Sequence, residues 1–293
     1  ENLDILIGNY PLKKGDKESV KEGVLALLKE KYDIEEKDFL SAELALVPAG
    51  KARDLGLDRS LILGYGQDDR SCAYTSFRAL LDSEVKTRTA CCLCVDKEEI
   101  GSVGTTGMAS HLFENMTAKI IEKCVRNSRN GNSEASSYCG NGNSETSSYC
   151  GNGEFVLREC LENSFMLSSD VNAAFDPMNA DLFDKDNASF LGGGIVFNKY
   201  TGSRGKSGAS DANPEFIARL RNLLDENDVA YQMAELGKVD QGGGGTIAYL
   251  AAKYGMNVLD AGVSVLSMHA PWEITSRFDV EQAYRAYKAF LTL

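Results

Sequence analysis

The chain has 293 residues and a formal net charge of −12, with 43% hydrophobic and 25% charged residues. That is enough apolar material to bury a large core. An acidic chain with no basic stripe excludes nucleic acid as a partner, and no apolar run approaches the roughly 20 residues that cross a bilayer.

The first predicted element is an amphipathic helix over 16–32, with Val20, Val24, Leu27 and Leu28 on one side. Residues 39–47 read as a strand. The apolar run 61–67 ends in Asp68-Asp69-Arg70, and a helix over 71–82 follows with Ala73, Phe77, Leu80 and Leu81 inward. A buried strand over 89–95 then ends in Asp96-Lys97-Glu98-Glu99-Ile100-Gly101-Ser102, before a helix over 107–125. Adjacent side chains at a strand end diverge, so one of Glu98 and Glu99 can bind a metal while the other serves as a general base.

Cys91, Cys92 and Cys94 fall in that strand and read as small buried hydrophobes, and Cys72, Cys124 and Cys160 read as structural residues on helices. Thiols used in this way fit a reducing cytoplasm. Residues 126–153 form a low-complexity insert, in which 130–140 is repeated almost unchanged as 141–151. Its Gly, Asn and Ser content cannot build a core, so it reads as a surface loop between two helices. A Cys139–Cys150 bridge or a partner-binding loop is the functional alternative.

Beyond the insert come a helix over 154–163, a strand over 166–171 carrying Asp170, and a strand over 193–198. A helix over 214–226 has Asn213 as cap and Pro214 at its first position. A strand over 229–234, a helix over 246–254, strands over 256–261 and 263–268, and a helix over 279–291 complete the series. His269 ends the last strand. This alternation predicts an α/β body, a mostly parallel sheet with helices on both faces.

Two glycine-rich stretches, Gly192-Gly193-Gly194 and Gly242-Gly243-Gly244-Gly245-Thr246, lack the Lys-Ser/Thr of a phosphate loop, and nucleotide binding is rejected for both. The N–H groups of Gly243 and Gly244 offer a hold for a substrate carbonyl or developing oxyanion; a tight turn needing positive φ accounts for them equally well. Asp68-Asp69, Glu98-Glu99, Asp170 and His269 each fall where a strand-like run stops, and open α/β sheets gather ligands there. Carboxylates with an imidazole suit zinc, cobalt or manganese in a catalytic site.

Gln67-Asp68-Asp69-Arg70, Asp96 to Ser102, Leu167-Ser168-Ser169-Asp170-Val171, Lys199-Tyr200-Thr201-Gly202-Ser203, Gly242 to Thr246 and Ser267-Met268-His269 occur in this order. Together they resemble the aspartyl aminopeptidase and yeast aminopeptidase I family of dinuclear zinc exopeptidases. The resemblance covers nearly the whole chain outside the insert. It implies two divalent ions, zinc first, with Asp68 bridging them, Glu99 on one, Asp170 on the other and His269 as a terminal ligand. Asp69 and Arg70 would support the bridge from behind, and Glu98 would be the general base. Lys199, with Arg204 and Lys206, would favour acidic substrate side chains if these residues line the pocket.

The family also has a second histidine ligand before the Asp68 motif. This chain has only His111 and His269, and His111 sits in an amphipathic helical pattern typical of a surface or core residue. The missing ligand is therefore expected upstream of Glu1, and the chain reads as the C-terminal part of a longer enzyme. On the same basis residues 1–62 would be the end of a smaller inserted oligomerisation domain, with 63–293 the catalytic part. The implied partners are a peptide substrate and copies of the chain itself, in a large particle built from dimers. The expected function is metal-dependent removal of a peptide's N-terminal residue. A carboxypeptidase or deacylase on related architecture, or a non-catalytic assembly subunit, is the alternative.

Overall fold

In the computed structural model, residues 5–13, 16, 18–84, 88–129, 153–204, 206–238 and 243–293 are described. The repeat at 130–151, with its expected loop and Cys139–Cys150 bridge, lies outside them. Two compact units divide the chain at Pro48, Glu1–Pro48 and Ala49–Leu293.

In the first unit, α1 (Glu18–Tyr32) begins where the Asp16 carboxylate accepts the Glu18 N–H at 3.0 Å. It carries Glu18 in its first turn and Lys29 and Lys31 in its last, as the helix dipole favours. The strand expected over 39–47 does not form. Glu36–Leu40 is a 3-10 turn instead, closed by the Glu35 N–H donating to Asp38 Oδ2 at 2.8 Å. That local capping pair fixes the entry to the segment, and 41–47 finds no ladder partner among the described residues. Leu6, Leu40 and Leu44 of this unit are each more than three-quarters exposed.

The second unit runs through β1 (Arg53–Leu55), β2 (Leu61–Gly64), α2 (Gln67–Leu81), α3 (Leu112–Arg129), α4 (Gly153–Glu162), β3 (Phe165–Ser168) and β4 (Asn172–Ala173). It continues with β5 (Ile195–Asn198), β6 (Tyr200–Ser203), β7 (Ser207–Asp211), α5 (Pro214–Glu226) and β8 (Tyr231–Met233). Last come α6 (Ala248–Ala252), β9 (Asn257–Gly262), β10 (Ser264–Leu266), β11 (Glu273–Ser276) and α7 (Arg277–Phe290).

The fold is mixed α/β, but the expected mostly parallel sheet is corrected. Among the described residues three sheets form, ordered β1-β2-β11-β10-β4, β3-β9-β5-β8 and β6-β7. Five of their eight ladders are antiparallel. Counting every strand–helix step as a parallel crossover overlooked direct strand-to-strand links. β9 passes to β10 through Val263 alone, and β10 turns back into β11 as a hairpin with Leu266 opposite Ile274. β1 and β2 join β11, so residues 53–64 pair within the larger unit.

The main core lies where β5 and β9 meet α2, α5 and α7, around Phe197, Leu259, Leu220, Leu224 and Ala286. Each fully buried large side chain there contributes roughly 1.5–3 kcal/mol. α5 spans the expected residues, with Pro214 at its first position. α3 starts later than expected, because Gly107 packs so tightly on Ser102 that a Cβ would lie 2.1 Å from the Ser102 carbonyl oxygen. The backbone cannot enter a regular helix until that contact is passed. The β6–β7 hairpin had no apolar alternation to announce it, its residues being mostly Ser, Thr and Gly.

The strand expected over 89–95 carries no ladder among the described residues. Cys91 and Cys94 are consequently exposed, as are Cys124 and Cys160, and Cys92 is half-buried; among the described residues only Cys72 is fully buried. The buried-packing reading holds for Cys72 alone.

Candidate metal centre

Three loops and one helix start converge. β2 ends in a left-handed Gly66 (φ 66°), and the first residues of α2, Asp68 and Asp69, keep non-helical backbone angles across a cis peptide bond. This turns the Asp68 side chain toward His269, whose Nε2 lies 2.9 Å from Asp68 Oδ2. Glu99 Oε1 lies 3.0 Å from the same nitrogen. Glu99 is delivered by a 3-10 turn, Glu98–Ile100, set between left-handed Lys97 and Gly101 and closed by the Ser102 N–H on the Lys97 carbonyl at 2.7 Å. Those two reversals point adjacent carboxylates differently: Glu99 into the cluster and exposed, Glu98 half-buried beside it.

Asp170 follows β3 and accepts the Val171 N–H at 2.8 Å. β9 reaches it closely only because residue 262 is glycine; a Cβ there would sit 1.6 Å from the Asp170 carbonyl oxygen. Two overlapping donor sets result, Asp68 with Glu99 and His269, and Asp68 with Asp69 and Asp170, each with its ligand atoms within 4.8 Å of one another. Asp68 is common to both. The structure therefore brings Asp68, Glu99, Asp170 and His269 together, and it adds Asp69. Glu98 stands at their side.

The electrostatics of this cluster are those of crowded, half-buried acids. Burial first, then the Glu99 charge, raises the Asp68 carboxyl to about 6. Burial raises Asp69 to about 8, and it raises Asp170 well above the ordinary carboxylate range, with the charges of Asp69 and Asp68 adding to it. Glu98 is raised too, by burial and then by Glu99 and Asp68. Asp69 Oδ1 is buried with no hydrogen-bond partner. Carboxylates crowded in this way repel unless protons or metal ions neutralise them, and an oxygen-rich set with one imidazole suits a hard or borderline divalent ion. The residues present fit zinc. The cluster opens on a groove of about 1950 Å³ lined by Asp68, Glu98, Glu99 and Asp170.

Other expected site residues lie elsewhere. Lys199 pairs its ammonium with Asp211. Gly243 has φ 89° and lies against Gly202, where a Cβ would come 2.6 Å from the carbonyl oxygen; a Cβ on Gly244 would meet Leu236 at the same distance. None of these three contributes an atom to the cluster. Close packing of the glycine segment on β6 thus accounts for Gly243, through the positive φ of the turn reading. His111 is exposed and pairs with Glu114. The first glycine stretch is occupied internally, since the Gly192 and Gly194 N–H groups both donate to Asp279 at 2.8 Å.

Asp69, expected behind the bridge, joins a donor set itself, whereas Glu273 was not foreseen as part of the cluster's framework. Glu273 is buried, and its two oxygens accept the backbone N–H groups of Asp68 and His269. Its only sequence signal is an acid opening an otherwise apolar strand start, Trp272-Glu273-Ile274.

The family model for aminopeptidase I zinc metalloproteases (M18) matches residues 2–291. A curated relative from Clostridium acetobutylicum, described as a probable M18 family aminopeptidase 1, is 55% identical over 99% of this chain and 57% of its own length. The crystal structure of aminopeptidase I from Clostridium acetobutylicum superposes with a TM-score of 0.80 at 53% identity, over 99% of this chain and 57% of that one. An M18 aminopeptidase structure from Thermotoga maritima gives a TM-score of 0.79 at 41% identity, over 97% and 57%. The chain thus spans somewhat more than half the length of the relatives it matches.

Proposed function

Because the chain belongs to the M18 family of aminopeptidase I zinc metalloproteases, we propose that it carries the main carboxylate and imidazole framework of a metal-dependent aminopeptidase. The observation that supports this most directly is the convergence of Asp68, Glu99 and His269 with Asp69 and Asp170 around one shared carboxylate. Asp68 would be shared by two ions, with Glu99 and His269 on one side and Asp170 on the other. Zinc held there would supply Lewis-acid activation of water and of the scissile carbonyl.

The chain's own residues do the rest. Glu98 takes the proton of the attacking water and returns it to the leaving amine. Burial, then the charges of Glu99 and Asp68, raise its carboxyl, which favours proton uptake. Lys199 and the N–H groups of Gly243 and Gly244 are assigned to the peptide. Lys199 is charge-paired with Asp211, so it would attract an acidic side chain only in exchange for that partner. The intact protein should contain zinc and release the first residue of a peptide with a free amine, leaving an N-acetylated peptide uncut. Cleavage of blocked substrates would indicate the carboxypeptidase or deacylase class, and zinc-free, inactive protein an assembly subunit.

Residues 1–62 are proposed as part of an oligomerisation domain, and the exposed Leu6, Ile7, Tyr10, Leu40 and Leu44 support this. A homo-oligomer built from dimers would cover them. Light scattering showing an active monomer would reject that arrangement. A cytoplasmic setting rests on the free thiols, and among the described residues no helix is long and apolar enough to cross a membrane.

A further inference from the structure

Glu273 opens β11, opposite Gly64 at the end of β2 and at the far side of the turn that carries His269. It is 2% exposed. Its Oε2 accepts the Asp68 N–H at 3.0 Å and its Oε1 accepts the His269 N–H at 2.7 Å. Both oxygens are thus directed at backbone, on two segments far apart in sequence, each bearing a side chain of the cluster.

The two segments need such a tie. The His269 side chain is 61% exposed, so packing does little to hold it. Its backbone is left-handed (φ 63°), as is that of Ser267 (φ 58°), and the turn has one internal bond, Ala270 N–H to the Ser267 carbonyl at 3.0 Å. Asp68 sits on the non-helical first turn of α2, where an N–H has no intrahelical acceptor. One carboxylate can accept both N–H groups through separate oxygens. An amide cannot, since it has one acceptor oxygen and would turn its NH₂ against the second donor.

We propose that Glu273 is a positioning residue that fixes Asp68 and His269 relative to each other before metal arrives. This rests on the metal reading of the cluster given above. Buried partners that orient metal ligands typically change metal affinity by about 10–100-fold when removed.

The test compares intact wild-type protein with Glu273→Gln, which keeps the volume and loses one bond. Zinc affinity, measured by competition with a chelator, should fall by about 10–100-fold. At saturating zinc, kcat should fall with KM little changed. Metal-free circular dichroism and melting should stay close to wild type. Unchanged zinc affinity would overturn the proposal, as would a loss of zinc that appears only where the metal-free fold has melted. A second measurement stands if the variant fails to fold: in metal-free wild type, the Asp68 and His269 amides should be protected from hydrogen exchange. Exchange as fast as in exposed loop amides would sink the proposal. Wild-type protein that binds no zinc would remove the metal reading and this inference together, whereas zinc-binding wild type with an equally tight variant removes this inference alone.

Discussion

Glu98→Gln is expected to keep its zinc and lose turnover by roughly 10²-fold or more, the usual scale for removing a general base. Glu99→Gln is expected to do the opposite first, lowering zinc content, with activity falling in proportion. The two residues are neighbours in one 3-10 turn, and the separation comes from where the turn aims them. Glu99 has an oxygen 3.0 Å from His269 Nε2, inside the donor set. Glu98 belongs to neither donor set, and it is half-buried at the edge of the groove. An amide at 98 preserves shape but cannot accept a proton near neutral pH. Zinc analysis beside steady-state kinetics on the intact protein separates the cases. Full activity in Glu98→Gln, or full zinc in Glu99→Gln, would reverse the roles.

The ends of apolar runs pointed to Asp68-Asp69, Glu98-Glu99, Asp170 and His269 without tertiary information, because side chains at the ends of strands and in the turns after them face the same rim of a sheet; the choice within each acid pair came from the family resemblance. Helices with clear apolar periodicity were legible in the same way: α5 matches its expected span, and α2 and α7 differ from theirs only at the ends. Sheet direction was not legible. A strand's sequence carries its burial, not its orientation, and only pairing in space shows that β10 runs against β11 and β5 against β9. Residues 39–47 and 89–95 have strand-like composition yet form no ladder among the described residues, since a strand exists only through a partner. Glu273 was hidden for a related reason. Its role depends on two backbone N–H groups brought to it by the fold, and nothing in its neighbours announces them.

Asp68→Asn should abolish zinc-dependent activity and at the same time make the metal-free protein more stable above neutral pH. In the unfolded chain the aspartates titrate near 3.8, whereas in the metal-free fold Asp68 is raised to about 6, Asp69 to about 8, and Asp170 well above the ordinary carboxylate range. The folded state then holds protons that the unfolded state has released. Stability from these groups is therefore full below about pH 4 and is lost as pH rises through about 6 to about 8. Exposed acids pull the other way: hydrogen bonds to Ser60 lower Asp58, and the Lys97 N–H lowers Asp96. Those groups are the same in both proteins, so the difference between wild type and variant isolates the cluster. In chelator, the melting temperature of Asp68→Asn should exceed wild type by a margin that grows from about pH 4 to about pH 6, the span between the unfolded and folded values of Asp68. Zinc should erase the wild-type deficit, because the ions take the place of the protons, and it should do little for the variant. Activity should drop by roughly 10³-fold or more, since the one carboxylate common to both donor sets is gone and several kcal/mol of charge stabilisation go with it. A variant that binds zinc as wild type does, or a stability margin that shrinks as pH rises, would show that repulsion among these carboxylates does not govern the site. The same crowding that destabilises the empty fold is what gives the filled one its affinity, so loss of function and gain of stability should appear together in this single substitution.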